Sequence, residues 1–467
     1  MKTTGDQHLV KKINKTIVLD TIMKKSPVSR AQISELTGLN KGTVSSLVQE
    51  LIDENLVREI GTGPSSGGRK PVLLLFNKHA GYAIGADLGV NYLLLALTDL
   101  QGGIVREERL PLKDTAVESV AATLAGSLRS LIGSAPASPY GIIGIGIGVP
   151  GITDGKGTVL FAPNLGWHQV DLGAIMRRKF ACPVSIDNEA NMGAMAEKEF
   201  GAGRGASYMV YVSIGMGIGT GIVLGRELYR GAHGFAGEMG HTSIAANGRR
   251  CSCGNRGCWE LYASEKALLE QARSLPFMEK IKRRGNAVAT AGDAACAAIG
   301  GENGIGDSGN AAKNGAEDSS GVFGTKNGVG DPGGVFEAEN GIGDSGVAFG
   351  AGNAGGGDVI AWLAELARLG DPDAVRLLNG IGEYLGVGVA NLINTFNPEL
   401  VVIGNRFTAL APWLSPPLRR VVESRALPFH RRQLKIEFSA LGPHATALGA
   451  ALMAIAEFFS GTKVNLA

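Results

Sequence analysis

One His and three Cys, His241, Cys251, Cys253 and Cys258, fall close together in the chain. An imidazole and three thiolates make a complete tetrahedral zinc set, and Gly254 and Gly257 let the backbone wrap tightly around an ion. Four protein ligands leave no open position for water, so such a zinc would be structural rather than hydrolytic. Two carboxylates flank the knot and are left over by it, Glu238 and Glu260. They are candidates for holding a polyol through charge-assisted hydrogen bonds. Elsewhere, glycines follow strand-like apolar runs at Asp87-Leu88-Gly89 and at Gly215-Met216-Gly217-Ile218-Gly219. Such turns can cradle phosphate, although strand-and-glycine is also how an α/β sheet turns tightly.

The elements that must position these residues read as α/β. Ala83–Gly89 with Tyr92–Asp99, Ile142–Gly151 and Val210–Gly221 have the buried-strand pattern of such a sheet. At 467 residues the chain exceeds one ordinary domain, and 44% hydrophobic with 19% charged residues supports sizeable cores. That composition excludes collagenous, disulfide-scaffolded and wholly disordered classes. No window reaches the roughly 18 uninterrupted apolar residues of a membrane span, and the start MKTTGDQHLVKK lacks the apolar centre of a signal peptide. A cytoplasmic protein without membrane contact is expected.

Charge is uneven. Residues 1–70 hold 11 Lys+Arg against 7 Asp+Glu, a surplus of +4, while the whole chain is +2. Within them, helical spacing at Ile17, Val18, Ile22 and Met23 stops at Ser26-Pro27. Ser29 with Gln32 makes a capping box, Gly38 ends that second helix, and Asn40 caps a third over Lys41–Asp53. Two strand-like runs follow, bracketing a Gly/Ser-rich stretch. The order is that of a winged helix-turn-helix, with Lys41, Thr43, Ser45 and Ser46 facing DNA from the third helix and Arg69 and Lys70 from the wing.

The Glu238-Met239-Gly240-His241 and Cys251–Glu260 motifs resemble those of the ROK family (repressors, open reading frames and kinases), and the chain looks most like its xylose repressors. The resemblance implies a winged helix-turn-helix over about 1–78, then an actin-like sugar-kinase body over 79–467. That body would have two lobes, about 79–190 with the C-terminal helix, and about 191–447. It implies a sugar held by Asn188, Glu189, Glu238, His241 and Glu260, with His241 serving both zinc and sugar. It further implies operator DNA, a pentose or hexose effector and a homodimer as partners. The family's kinases carry Asp-x-Gly-Gly-Thr where this chain has Asp87-Leu88-Gly89-Val90-Asn91, and a catalytic Asp where it has Glu189. On the adenosine side, Gly404-Asn405-Arg406 replaces a glycine-rich turn. Asp87, Gly89, Gly215, Gly217 and Gly219 are then vestigial phosphate loops, no catalytic residue is expected, and ATP has no assigned role. The alternative is an ATP-dependent sugar kinase with a regulatory DNA-binding head.

Residues 285–357 interrupt the resemblance. They are glycine-rich and repeat one phrase from Asn303, Asn327 and Asn340 at irregular spacing. A flexible loop is expected, since the stretch lacks the apolar content to offset ordering entropy. Cys182 and Cys296 receive no role.

Overall fold

The computed structural model describes residues 7–62, 70–273, 275 and 357–460; Arg69 and almost all of the 285–357 insert lie outside them. The chain opens with α1 (Gln7–Lys25), α2 (Arg30–Thr37) and α3 (Lys41–Asp53). The Ser29 hydroxyl accepts from the Gln32 amide, and the Gln32 side chain accepts from the Ser29 amide at 2.9 Å, closing the expected capping box. Gly38 takes the left-handed conformation (φ 72°) that ends α2, and Asn40 caps α3 through the Thr43 amide at 2.8 Å. Val44, Leu47, Val48 and Leu51 bury one face of α3 against Val18, Leu19, Ile22 and Ile33. Strands Val57–Thr62 and Val72–Phe76 pair antiparallel as the wing.

The body contains two five-stranded sheets of the same topology. In the first, Tyr82–Leu88, Tyr92–Asp99 and Ile104–Pro111 run antiparallel, and Ile142–Val149 and Val184–Asn188 extend the sheet in parallel on the other side. In the second, Met209–Ile214, Ile218–Leu224 and Glu227–Leu228 play the antiparallel part, with Leu400–Asn405 and Lys435–Phe438 in parallel. This is the mixed α/β, two-sheet arrangement that the resemblance implies.

Two helices pack on each other between these sheets: Glu189–Phe200, against the second, and Ala445–Ser460, against the first. The contact explains the alternating glycines of Ile142–Val149. A Cβ at Gly144 would lie 3.1 Å from the Ala454 methyl, at Gly146 1.9 Å from the Ala450 carbonyl oxygen, and at Gly148 2.4 Å from the Thr446 methyl. Two strand residues advance about 6.6 Å and four helical residues about 6 Å, so the two ladders stay in step. These glycines serve close backbone packing rather than a phosphate turn.

The head's core continues past residue 78. Leu56, Val57, Leu74 and Phe76 share one apolar cluster with Ala83, Leu100, Ile143, Ala454, Ile455 and Phe459. Tyr140 stacks edge-on against Phe458 at 5.1 Å, and its hydroxyl donates to the Glu54 carbonyl at 2.8 Å. Among the described residues, no helix is long and apolar enough to cross a membrane.

Candidate functional site

The turn after strand Tyr82–Leu88 and the turn after strand Met209–Ile214 occupy corresponding places in the two sheets, and both line one cleft. Asn188, Glu189, Glu238, His241 and Glu260 line it as well, so all five expected sugar-site residues come together. Asn188 caps the helix Glu189–Phe200: its Oδ1 accepts from the amides of Ala190 and Asn191, at 2.8 and 3.2 Å. Its Nδ2 donates to the Gly151 carbonyl at 3.0 Å and to Glu189 Oε2 at 3.2 Å. Burial, reinforced by the nearby carboxylates of Asp87, Glu238 and Asp187, holds the Glu189 carboxyl well above the usual range. Burial, with Glu260 adding to it, also raises Glu238.

The glycines make room for these acids. A Cβ at Gly219 would lie 3.1 Å from Glu189 Oε1, and one at Gly217 2.8 Å from Glu260 Oε2 and 3.1 Å from Asn164 Nδ2. Glu260 faces two ways: its Oε1 is 3.4 Å from Cys251 Sγ and 3.5 Å from His241 Nδ1.

The side-chain donors of His241, Cys251, Cys253 and Cys258 all lie within 4.8 Å of one another and could hold a metal ion. Cys253 and Cys258 sulfurs are 3.7 Å apart, as are Cys251 Sγ and His241 Nδ1. Bonds of about 2.3 Å to sulfur and 2.0 Å to nitrogen give tetrahedral edges of about 3.8 and 3.5 Å, so the set fits zinc. Burial and the two neighbouring thiols push Cys258 up to about 12; a divalent cation among them would reverse this by favouring thiolate. Trp259 anchors the knot. It is fully buried, its indole N–H donates to the Tyr384 carbonyl at 2.9 Å, and its ring fills the space where Gly388 lacks a side chain.

At the cleft's far end the expected phosphate loop is covered. The Tyr92 ring comes within 2.3 Å of where a Gly89 Cβ would stand, and its hydroxyl donates to Asp87 Oδ2 at 2.7 Å. Arg109 lies over that ring, 5.2 Å from its centroid. On the adenosine-side turn, Arg406 forms a buried ion pair with Glu265 at 2.6 Å. Asn405, at φ 65° and ψ −150°, holds a backbone conformation that glycine alone adopts readily. The turn thus keeps a glycine's shape while carrying an amide, which donates to Ser213 Oγ at 3.2 Å.

Of the expected DNA-facing residues, Lys41, Ser45, Ser46 and Lys70 are exposed and Thr43 is half-buried beside α1. Sequence reasoning missed Tyr92, Trp259, the Glu265–Arg406 pair and an ion pair between Arg230 and Asp187. Arg406, Trp259 and Asp187 had local signals, in the adenosine-side turn, the Cys251–Glu260 motif and the Ile186–Asn191 run, but none of these named the contact.

Comparison with known proteins agrees with this geometry at both ends of the chain. A model described as ROK family matches residues 83–303 and 345–457, and a winged helix-turn-helix DNA-binding model matches 15–58. The chain is 39% identical over 460 residues to the xylose repressor of Bacillus spizizenii, spanning 98% of this chain and 99% of that one. Among solved structures it is similar to a ROK family transcriptional regulator, a homologue of the E. coli MLC protein. That match has a TM-score of 0.66 and 26% identity, over 97% of this chain and 98% of the other. A ROK family glucokinase from Streptomyces griseus, in complex with glucose and AMPPNP, matches at TM-score 0.58 and 26% identity, over 80% of this chain and 99% of its own.

Proposed function

This chain belongs to the ROK family, and we propose that it is a cytoplasmic, DNA-binding repressor of carbohydrate-utilisation genes, xylose genes first among them, that a sugar in the cleft relieves. One structural observation carries the coupling. The helix Ala445–Ser460, about 24 Å long, contributes Phe459 to the head's core at one end. At the other, the Thr446 hydroxyl donates to the Glu189 carbonyl at 3.2 Å. A sugar that prefers one placement of Glu189 biases the seat of the DNA head, whereas a ligand of equal affinity for both placements shifts nothing. Asn188, Glu189, Glu238, His241 and Glu260 are the sugar ligands of this reading. Lys41, Thr43, Ser45, Ser46, Arg69 and Lys70 are its DNA contacts. His241, Cys251, Cys253 and Cys258 hold a structural zinc that orients His241 and Glu260. Two copies bind a two-fold operator as a homodimer.

Several features count against phosphoryl transfer: the Tyr92 cover, the buried Glu265–Arg406 pair, and Glu189 where the kinases carry Asp at the base position. Asp87, Gly89, Gly215, Gly217 and Gly219 are in this reading relics of phosphate loops. A kinase with a regulatory head is the second reading, favoured by the glucokinase similarity over the body alone.

The test is fluorescence anisotropy of a labelled fragment from upstream of the protein's own gene, at fixed salt, with and without xylose, glucose and N-acetylglucosamine. Tight binding released by one sugar is expected. Absence of binding, with sugar phosphate formed from ATP, would install the kinase instead.

A further inference from the structure

Arg230 sits in the loop between strand Glu227–Leu228 of the second sheet and Glu238. Its guanidinium reaches back to the first sheet, where Nη1 lies 2.5 Å from Asp187 Oδ2. Asp187 is almost fully buried, and its other oxygen accepts from the Asn188 amide at 2.7 Å and from Asn191 Nδ2 at 3.3 Å. One carboxylate therefore grips both halves of the sugar site: the Asn188–Glu189 turn through Oδ1, and the loop delivering Glu238 and His241 through Oδ2.

We propose that Arg230 is a positioning residue whose bond to Asp187 latches the two halves of the cleft around a bound sugar. The inference rests on the sugar-binding reading above. Three positive-φ glycines, Gly231, Gly234 and Gly237, shape the loop, so the fastening falls to the ion pair rather than to regular structure. Truncating one partner of a pair whose other member is buried acts mainly on dissociation, because the carboxylate left behind stays buried without its partner in the closed, sugar-bound state and so destabilises that state. The latch sets how long the sugar stays. It leaves the rate of entry to the open cleft nearly unchanged.

The experiment is stopped-flow sugar binding to the full-length protein, followed by intrinsic fluorescence. The probes are xylose, glucose and N-acetylglucosamine, and the proteins are wild type, Arg230→Gln, Arg230→Lys, Asp187→Asn and the Arg230→Gln/Asp187→Asn double variant. Arg230→Gln is expected to raise the dissociation rate about tenfold with association changed less than about twofold. Arg230→Lys should restore most of the residence time, and the double variant should lose less than the sum of the two single losses. Arg230 is partly exposed, so Arg230→Gln should fold and keep its sugar-free operator affinity. A dissociation rate within about twofold of wild type in Arg230→Gln, or strictly additive losses, overturns the latch while leaving sugar binding intact. Failure of the wild type to bind any of the three sugars overturns the parent reading, and the latch with it.

Discussion

The Thr446 hydroxyl donates to the main-chain carbonyl of Glu189 across 3.2 Å, and the same helix ends in the head's apolar core. If that bond carries the sugar's preference, Thr446→Val should leave sugar affinity within about threefold but weaken the sugar's effect on operator binding. Loss of one hydrogen bond of ~1 kcal/mol corresponds to about a fivefold smaller ratio of operator dissociation constants with and without sugar. An unchanged ratio would remove Thr446 from the coupling path.

Cys253→Ala takes one donor from the four-residue knot, and that knot shares Glu260 and His241 with the cleft. The variant is expected to lose stoichiometric zinc and, with it, the sugar response, because the ion fixes the orientation of His241. Metal analysis beside the operator assay decides the matter. Retained zinc together with a retained response would refute the assignment.

Lys41 is exposed at the start of α3, whose opposite face is buried. Lys41→Ala should weaken operator binding by about 1–3 kcal/mol at fixed salt if it contacts a base edge, and leave sugar affinity unchanged. An operator dissociation constant equal to wild type would count against α3 as the reading helix.

Burial pushes the Asp87 carboxyl from 3.8 up to about 7, against the Tyr92 hydrogen bond and the Arg109 charge, which lower it. The folded protein then holds a proton that the unfolded chain has already released. Stability falls as pH rises between those two values and levels off above about 7. Asp87→Asn keeps an acceptor for Tyr92 and has no proton to lose, so its urea midpoint relative to wild type should rise between about pH 5 and 7.5. Parallel pH profiles for the two proteins would show that Asp87 is ionised throughout.

What was legible in the sequence is what is local. The caps Ser29, Gly38 and Asn40 act within four residues of themselves, and the head's helices begin and end where those residues dictate. The knot was legible because its Cys are separated by one and four residues. Pairings across the fold were not. Glu265 meets Arg406 across 141 positions of one lobe, Asp187 meets Arg230 only once both lobes are assembled, and nothing in any of these segments names its partner. The alternating glycines of Ile142–Val149 were visible, but their cause is a helix some 300 positions away whose backbone must come close. The likeness of the two sheets was hidden because it lies in strand order, not in residue identity.

The shared apolar cluster of head and body bears on how the molecule melts. Leu74 and Phe76 of the wing are buried partly by Ala454, Ile455 and Phe459, so a fragment ending near residue 78 would present those faces to water. The head is expected to show no independent melting transition, since wing, C-terminal helix and first sheet share one apolar cluster. Loosening the last turn of that helix therefore costs DNA recognition and lobe stability together.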